Sequence, residues 1–147
     1  MKRGVSLLQA NAKEDLLWRV LEGVSVTGQL EKHHIFGGAR RTMSEREGFW
    51  VWLTGANHTQ SNAQENPLGI LGVHGSAAVD VFLKALCQAR YEAGHNRAEW
   101  MALVGRNYLD EGRPMGAKNW TGSTGERLRR AWDDLFEDEG NALPDRQ

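Results

Sequence analysis

The residues most able to do chemistry are four histidines, His33, His34, His58 and His74, gathered within 42 positions of a chain that has five. Imidazole is a common ligand for Zn, Ni, Cu and Fe. Its pKa near 6.5 also suits it to proton transfer around neutrality. Neighbouring residues on an extended strand face opposite ways, so His33 and His34 cannot both aim at one point from a regular strand. The pair implies a division of labour, one ring holding a metal and the other approaching a substrate from the side. Three histidines plus water would also make an open hydrolytic zinc set. His95, beside Gly94 in a helix-end turn, reads as structural. Cys87 lies in the apolar run Val81-Phe82-Leu83-Lys84-Ala85-Leu86-Cys87 and reads as a buried small hydrophobe with no disulfide partner.

The elements that must position these rings are unevenly legible. Three helix starts carry an Asn or Ser followed by Glu three residues on: Asn11 with Glu14, Asn96 with Glu99 and Ser123 with Glu126. They predict helices near 12–22, 97–104 and 124–138. Ala78, Phe82, Ala85, Leu86, Ala89 and Ala93 recur at helical spacing and predict another over 76–93, stopped by Gly94. The last helix carries Leu128, Ala131, Trp132, Leu135 and Phe136 on one stripe, to be packed on the body or on a second copy of the chain as a homodimer. Alternation in Phe49-Trp50-Val51-Trp52-Leu53 predicts a short strand. Gly37 to Arg41 reads as a turn, and 60–69 and 110–122 as loops.

The chain has 147 residues and is 40% hydrophobic, enough for one compact domain with a real core. No run of 18 apolar residues occurs, and Met1-Lys2-Arg3-Gly4 does not open a signal peptide, which argues for a cytoplasmic protein without membrane contact. The net charge of −1 conceals an asymmetry. Residues 1–132 hold 17 Lys and Arg against 13 Asp and Glu, whereas 133–147 hold 1 against 6. A mildly basic body is compatible with nucleic acid; the acidic tail reads as a solvated face.

The run Leu30-Glu31-Lys32-His33-His34-Ile35-Phe36-Gly37-Gly38, followed by Arg41, Ser44-Glu45, Gly48, Val51-Trp52-Leu53, His58, Gly72-Val73-His74 and Gly105-Arg106-Asn107-Tyr108-Leu109, resembles small phage and prophage endonucleases of the His-Asn-His type. The resemblance spans about residues 24–109. It implies an α+β fold, a small ββα-metal core with a β-hairpin and flanking helices and a mostly helical C-terminal part. The nuclease domain with its N-terminal helix would occupy 1–109. A linker and a C-terminal amphipathic helix with an acidic tail would fill 110–147. Carried over by position, His33, His58 and His74 would hold one divalent ion (Mg, Mn, Ni or Zn), His34 would be the general base, and Lys32, Arg40 and Arg41 would hold DNA phosphates. Asn57 or Asn62 would fix the loop. Such proteins often have Cys-x-x-Cys pairs forming a structural zinc site; here those positions are Val24, Thr27, Thr54 and Asn57, so no structural zinc is expected and Trp18, Trp50 and Trp52 are candidates for the core instead. Two other classes compete with the DNA endonuclease: a catalytically inactive nucleic-acid- or protein-binding accessory factor, for example in anti-defence or recombination, and a metal-dependent hydrolase of another substrate.

Overall fold

The computed structural model describes residues 5–137; the N-terminal tetrapeptide and the end of the acidic tail, 138–147, lie outside the described residues. The fold is α+β. A two-stranded antiparallel sheet pairs β1 (Leu30–His34) with β2 (Trp50–Thr54), in register His33 to Val51 and His34 to Trp50. A one-and-a-half-turn helix α3 (Gly55–Thr59) follows β2 without a loop, so strand, strand and helix are consecutive layers of one small unit. Around it pack α1 (Leu16–Glu22), α2 (Arg41–Glu47), α4 (Ala77–Glu92), α5 (Arg97–Val104) and α6 (Gly122–Glu137). A second hairpin, β3 (Leu109–Asp110) with β4 (Arg113–Pro114), lies inside the stretch expected to be only a linker.

Sequence signals and elements agree where local chemistry is strong. α5 begins at Asn96, whose side chain accepts from the Glu99 N–H while Glu99 answers to the Asn96 N–H, the reciprocal cap expected. α4 ends at Glu92 with Ala93 as its cap, next to the predicted stop at Gly94. α1 departs from expectation: its cap is Asp15, which accepts from the Trp18 N–H at 2.8 Å, and not Asn11. Residues 5–14 are needed elsewhere. They run beside β2 and close its free edge with side chains, Ser6 Oγ donating to Trp50 O (2.7 Å), Gln9 Oε1 accepting from Trp52 N (2.8 Å) and Asp15 Oδ2 accepting from Thr54 N (2.6 Å). An open strand edge is a row of unpaired polar groups, and here buried Ser6, Gln9 and Asp15 answer three of them. α2, which begins at the last residue of the expected turn, is a helix that no sequence signal announced. Only Ser44 of that helix is buried, and its hydroxyl donates to Phe36 O (2.7 Å) and accepts from Phe36 N (3.2 Å), pinning the chain just after β1.

One apolar cluster runs through the described residues, from Leu8, Leu16 and Leu17 through Phe49, Val51 and Leu53 to Phe82, Leu86, Trp100, Leu128 and Trp132. The apolar stripe of α6 is therefore seated on its own body, against α1 and α4, and of that helix Phe136 is left exposed. The Trp132 indole donates to Gly112 O at 3.0 Å, tying the second hairpin to the same core. Trp50 is buried as expected; Trp18 and Trp52 are half-buried.

Hydrogen bonds hold the loops near Val24, Thr27, Thr54 and Asn57 together. Thr54 caps α3 by accepting from the Asn57 N–H. Asn57 is fully buried; its Nδ2 donates to Asp15 Oδ2 (2.9 Å) and its Oδ1 accepts from Asn66 Nδ2 (2.8 Å). The Asp15 N–H donates to Val26 O at 2.9 Å, and Asn66 donates to Ile70 O at 2.9 Å. Asp15, Asn57 and Asn66 thus join α1, the 24–27 loop, the β2–α3 junction and the 66–70 loop. Of the two candidate loop-fixing asparagines, Asn57 is at the centre of this network, while Asn62 is exposed and caps one short turn.

Candidate metal centre

Alternation along β1 sorts its side chains into two sets. Glu31 and His33 face α3; Lys32 and His34 face α2. The first set meets His58 and His74. Glu31 Oε1 accepts from His58 Nδ1 at 2.7 Å, and the Nε2 atoms of His58 and His74 are 3.0 Å apart. The His33 ring lies edge-on to both, with centroid separations of 5.1 Å to His58 and 5.5 Å to His74. One ligand-capable atom from each of the three lies within 4.8 Å of the others.

The second set meets Glu45 of α2. Its Oε1 is 2.7 Å from His34 Nε2 and its Oε2 is 3.2 Å from Lys32 Nζ. These bonds, that of His34 foremost, hold the Glu45 carboxyl below its usual range. Lys32 also sits 4.1 Å over the Trp50 ring.

Two chain features bring His58 and His74 together although 15 residues separate them. α3 carries His58 away from the end of β2, and the following loop returns on itself, with Gly72 N donating to Gln60 O at 2.8 Å. A Cβ at position 72 would lie 2.7 Å from the backbone nitrogens of Thr59 and Gln60, so only glycine permits this closure. His74 then stands in a single 3-10 turn, Val73–Gly75, directly ahead of α4.

The donor set suits a divalent ion of the imidazole-preferring kind. His33 is 7% exposed, and its Nε2 has no hydrogen-bond partner, an anomaly for a buried polar atom. Burial first, and the neighbouring His58, His74, His34 and Lys84 after it, lower its pKa to about 3. It is therefore neutral at pH 7, the form in which imidazole binds a metal. Ligand nitrogens around a tetrahedral ion sit roughly 3.3 Å apart. The 3.0 Å pair is near that spacing, and the widest separation needs to close by at most roughly 1.5 Å. The Glu31 contact fixes the His58 tautomer with Nδ1–H outward and Nε2 inward, as carboxylates behind metal-binding histidines do.

The remaining site residues expected from the sequence are dispersed. His34 is across β1 from the trio and lines a cavity of about 510 Å³ with Arg41, Thr42, Glu45 and Arg46. Arg40 points elsewhere, donating to Leu103 O at 3.2 Å and lining a separate cavity. Lys32 is engaged by Glu45. The sequence did not single out Glu31, and Glu45 was expected to be a cap or a salt-bridge partner without a catalytic role; it pairs with Lys32 and His34. The first could have been found from strand alternation, since it shares a face with His33; the second lies in a helix the sequence does not announce. No protein-family model matches this chain, and no curated protein or solved structure matches it either.

Proposed function

We propose that this protein is a metal-dependent endonuclease of the His-Asn-His type that hydrolyses DNA phosphodiester bonds, with one divalent ion held by His33, His58 and His74. The observation that carries the reading is the buried, unpartnered Nε2 of His33 facing two further imidazoles. When bound, the ion would offset charge on the phosphoryl and leaving oxygens and acidify water, Lewis-acid help worth several kcal/mol. Glu31 holds the His58 ring in position.

His34 is the proton acceptor in this proposal, with its ring oriented by Glu45. Because His34 is the last residue of β1 and projects from the face opposite His33, the scissile phosphate would lie at the end of that strand, where both faces can be reached. Arg41 and Arg46, in the His34 cavity, would face the phosphates on that side.

A plasmid-nicking assay with Mg²⁺, Mn²⁺, Ni²⁺ or Zn²⁺, with and without chelator, tests the reading. The expected result is metal-dependent nicking that drops at least about 100-fold in kcat for His34→Ala, the scale of general-base catalysis. Intact plasmid with every metal, despite DNA binding, would favour the inactive accessory factor.

A further inference from the structure

A cavity of about 430 Å³ opens just beyond the end of β1, lined by Phe36, Gly37, Arg40, Lys84, Val104, Gly105, Arg106 and Tyr108. Three cations from three elements share its wall, and no carboxylate does. Arg40 comes from the turn after β1. It is held by its bond to Leu103 O and by close approach to Gly105, where a Cβ would lie 3.2 Å from Arg40 Nη2. Lys84 projects from α4; its ammonium is 5.7 Å from the centres of both Phe36 and Tyr108, and it donates a hydrogen bond to Asp80, one turn earlier, at 2.8 Å. Arg106 is exposed, with its guanidinium 5.3 Å over Tyr108. Like charges gathered in one pocket repel one another and are stabilised by an anion.

We propose that Arg40, Lys84 and Arg106 form a phosphate-binding pocket that holds the DNA backbone next to the bond cut at the histidine centre. The proposal rests on the DNA reading above and adds to it two cations, Lys84 and Arg106, far in sequence from Arg40. The location supports it. The pocket adjoins the strand end that carries His33 and His34, since its lining residues Phe36 and Gly37 directly follow that strand. Guanidinium and ammonium groups are suited to phosphate oxygens, and Phe36 and Tyr108 are too buried to stack on a base, so backbone contact is the chemistry on offer.

The test measures binding apart from cutting. Affinity of the full chain for a 20-base-pair fluorescent duplex is followed in chelator from 50 to 300 mM salt, for wild type, Arg106→Gln, Lys84→Gln, the double variant and an Arg130→Gln control on α6. Each neutralised phosphate contributes about 0.9 to the slope of log affinity against log salt. The slope is expected to fall by about 0.9 for each pocket variant and about 1.8 for the double, with the control unchanged. Exposed Arg106 carries the test even if Lys84→Gln perturbs folding, which thermal unfolding reports. Slopes unchanged in the variants, or a wild type that does not bind duplex, would overturn the pocket. Reduced slopes in a protein that no metal makes competent to cut would sustain the pocket and refute the nuclease reading, so the two fail separately.

Discussion

Replacing Asn57 by Ala removes the centre of the network that joins Asp15, Asn57 and Asn66. Two hydrogen bonds go: the 2.9 Å donation to the Asp15 carboxylate and the 2.8 Å acceptance from Asn66. A bond to a charged group contributes about 1.5–3 kcal/mol and a neutral one about 0.5–1.5. Asp15 keeps the Trp18 and Thr54 amides, and Asn66 keeps Ile70 O, so neither is stranded completely. The loss is therefore about 2–4 kcal/mol, and at 2–4 °C per kcal/mol for a domain of this size it lowers Tm by roughly 10 °C. Thermal unfolding followed by circular dichroism in chelator measures it, with Asn62→Ala as comparison because that exposed cap should cost under about 1 kcal/mol. A Tm within 2 °C of wild type for Asn57→Ala, or equal shifts for the two variants, would refute the claim that this network holds the loops.

Three further outcomes follow from the same geometry. His33, with a pKa lowered from 6.5 to about 3, binds its proton more readily when unfolded, so its contribution is complete above pH 6.5 and is lost as pH falls toward 3. At about 1.4 kcal/mol per pH unit the loss approaches roughly 4–5 kcal/mol, and urea titrations in chelator should show a slope between pH 6.5 and 3 that His33→Leu reduces, most clearly above about pH 5, where the lowered carboxyls of Glu14, Glu45 and Glu92 do not contribute. Glu31→Gln keeps the shape behind His58 but weakens its acceptor, and should reduce metal affinity about 10–100-fold by calorimetry without moving Tm by more than a few degrees. Glu45→Gln should lower kcat and shift the acidic limb of its pH profile while leaving metal affinity unchanged; a change in metal affinity alone would mean that His34 and Glu45 serve the histidine centre only through β1.

How much of this was readable depends on the range of the interactions. α5 was placed by a reciprocal cap within four residues, and α4 by apolar spacing along its own length. The histidine cluster was visible as a concentration of one residue type, although its joint geometry depends on the Gly72 closure. β1 was harder to read, since Leu30-Glu31-Lys32-His33-His34 has one apolar residue and puts Glu31 and His33 on the face toward α3. α2 has no side-chain cap and buries only Ser44, so neither capping nor periodicity marks it. The role of residues 5–14 was hidden because Ser6 and Gln9 act on a strand more than 40 positions away. Asn11 followed by Glu14 looked like a helix start; Asp15 prevailed because the same carboxylate also answers Thr54 and Asn57.

The account turns on whether His33, His58 and His74 hold an ion together, and calorimetric titration of the full chain with Ni²⁺ or Zn²⁺ at pH 7 tests that directly. One equivalent should bind wild type, and His74→Ala, a change at an exposed residue that leaves the core untouched, should lose most of that affinity. A wild type that takes up no metal, or a His74→Ala protein that binds as tightly as wild type, would contradict the account.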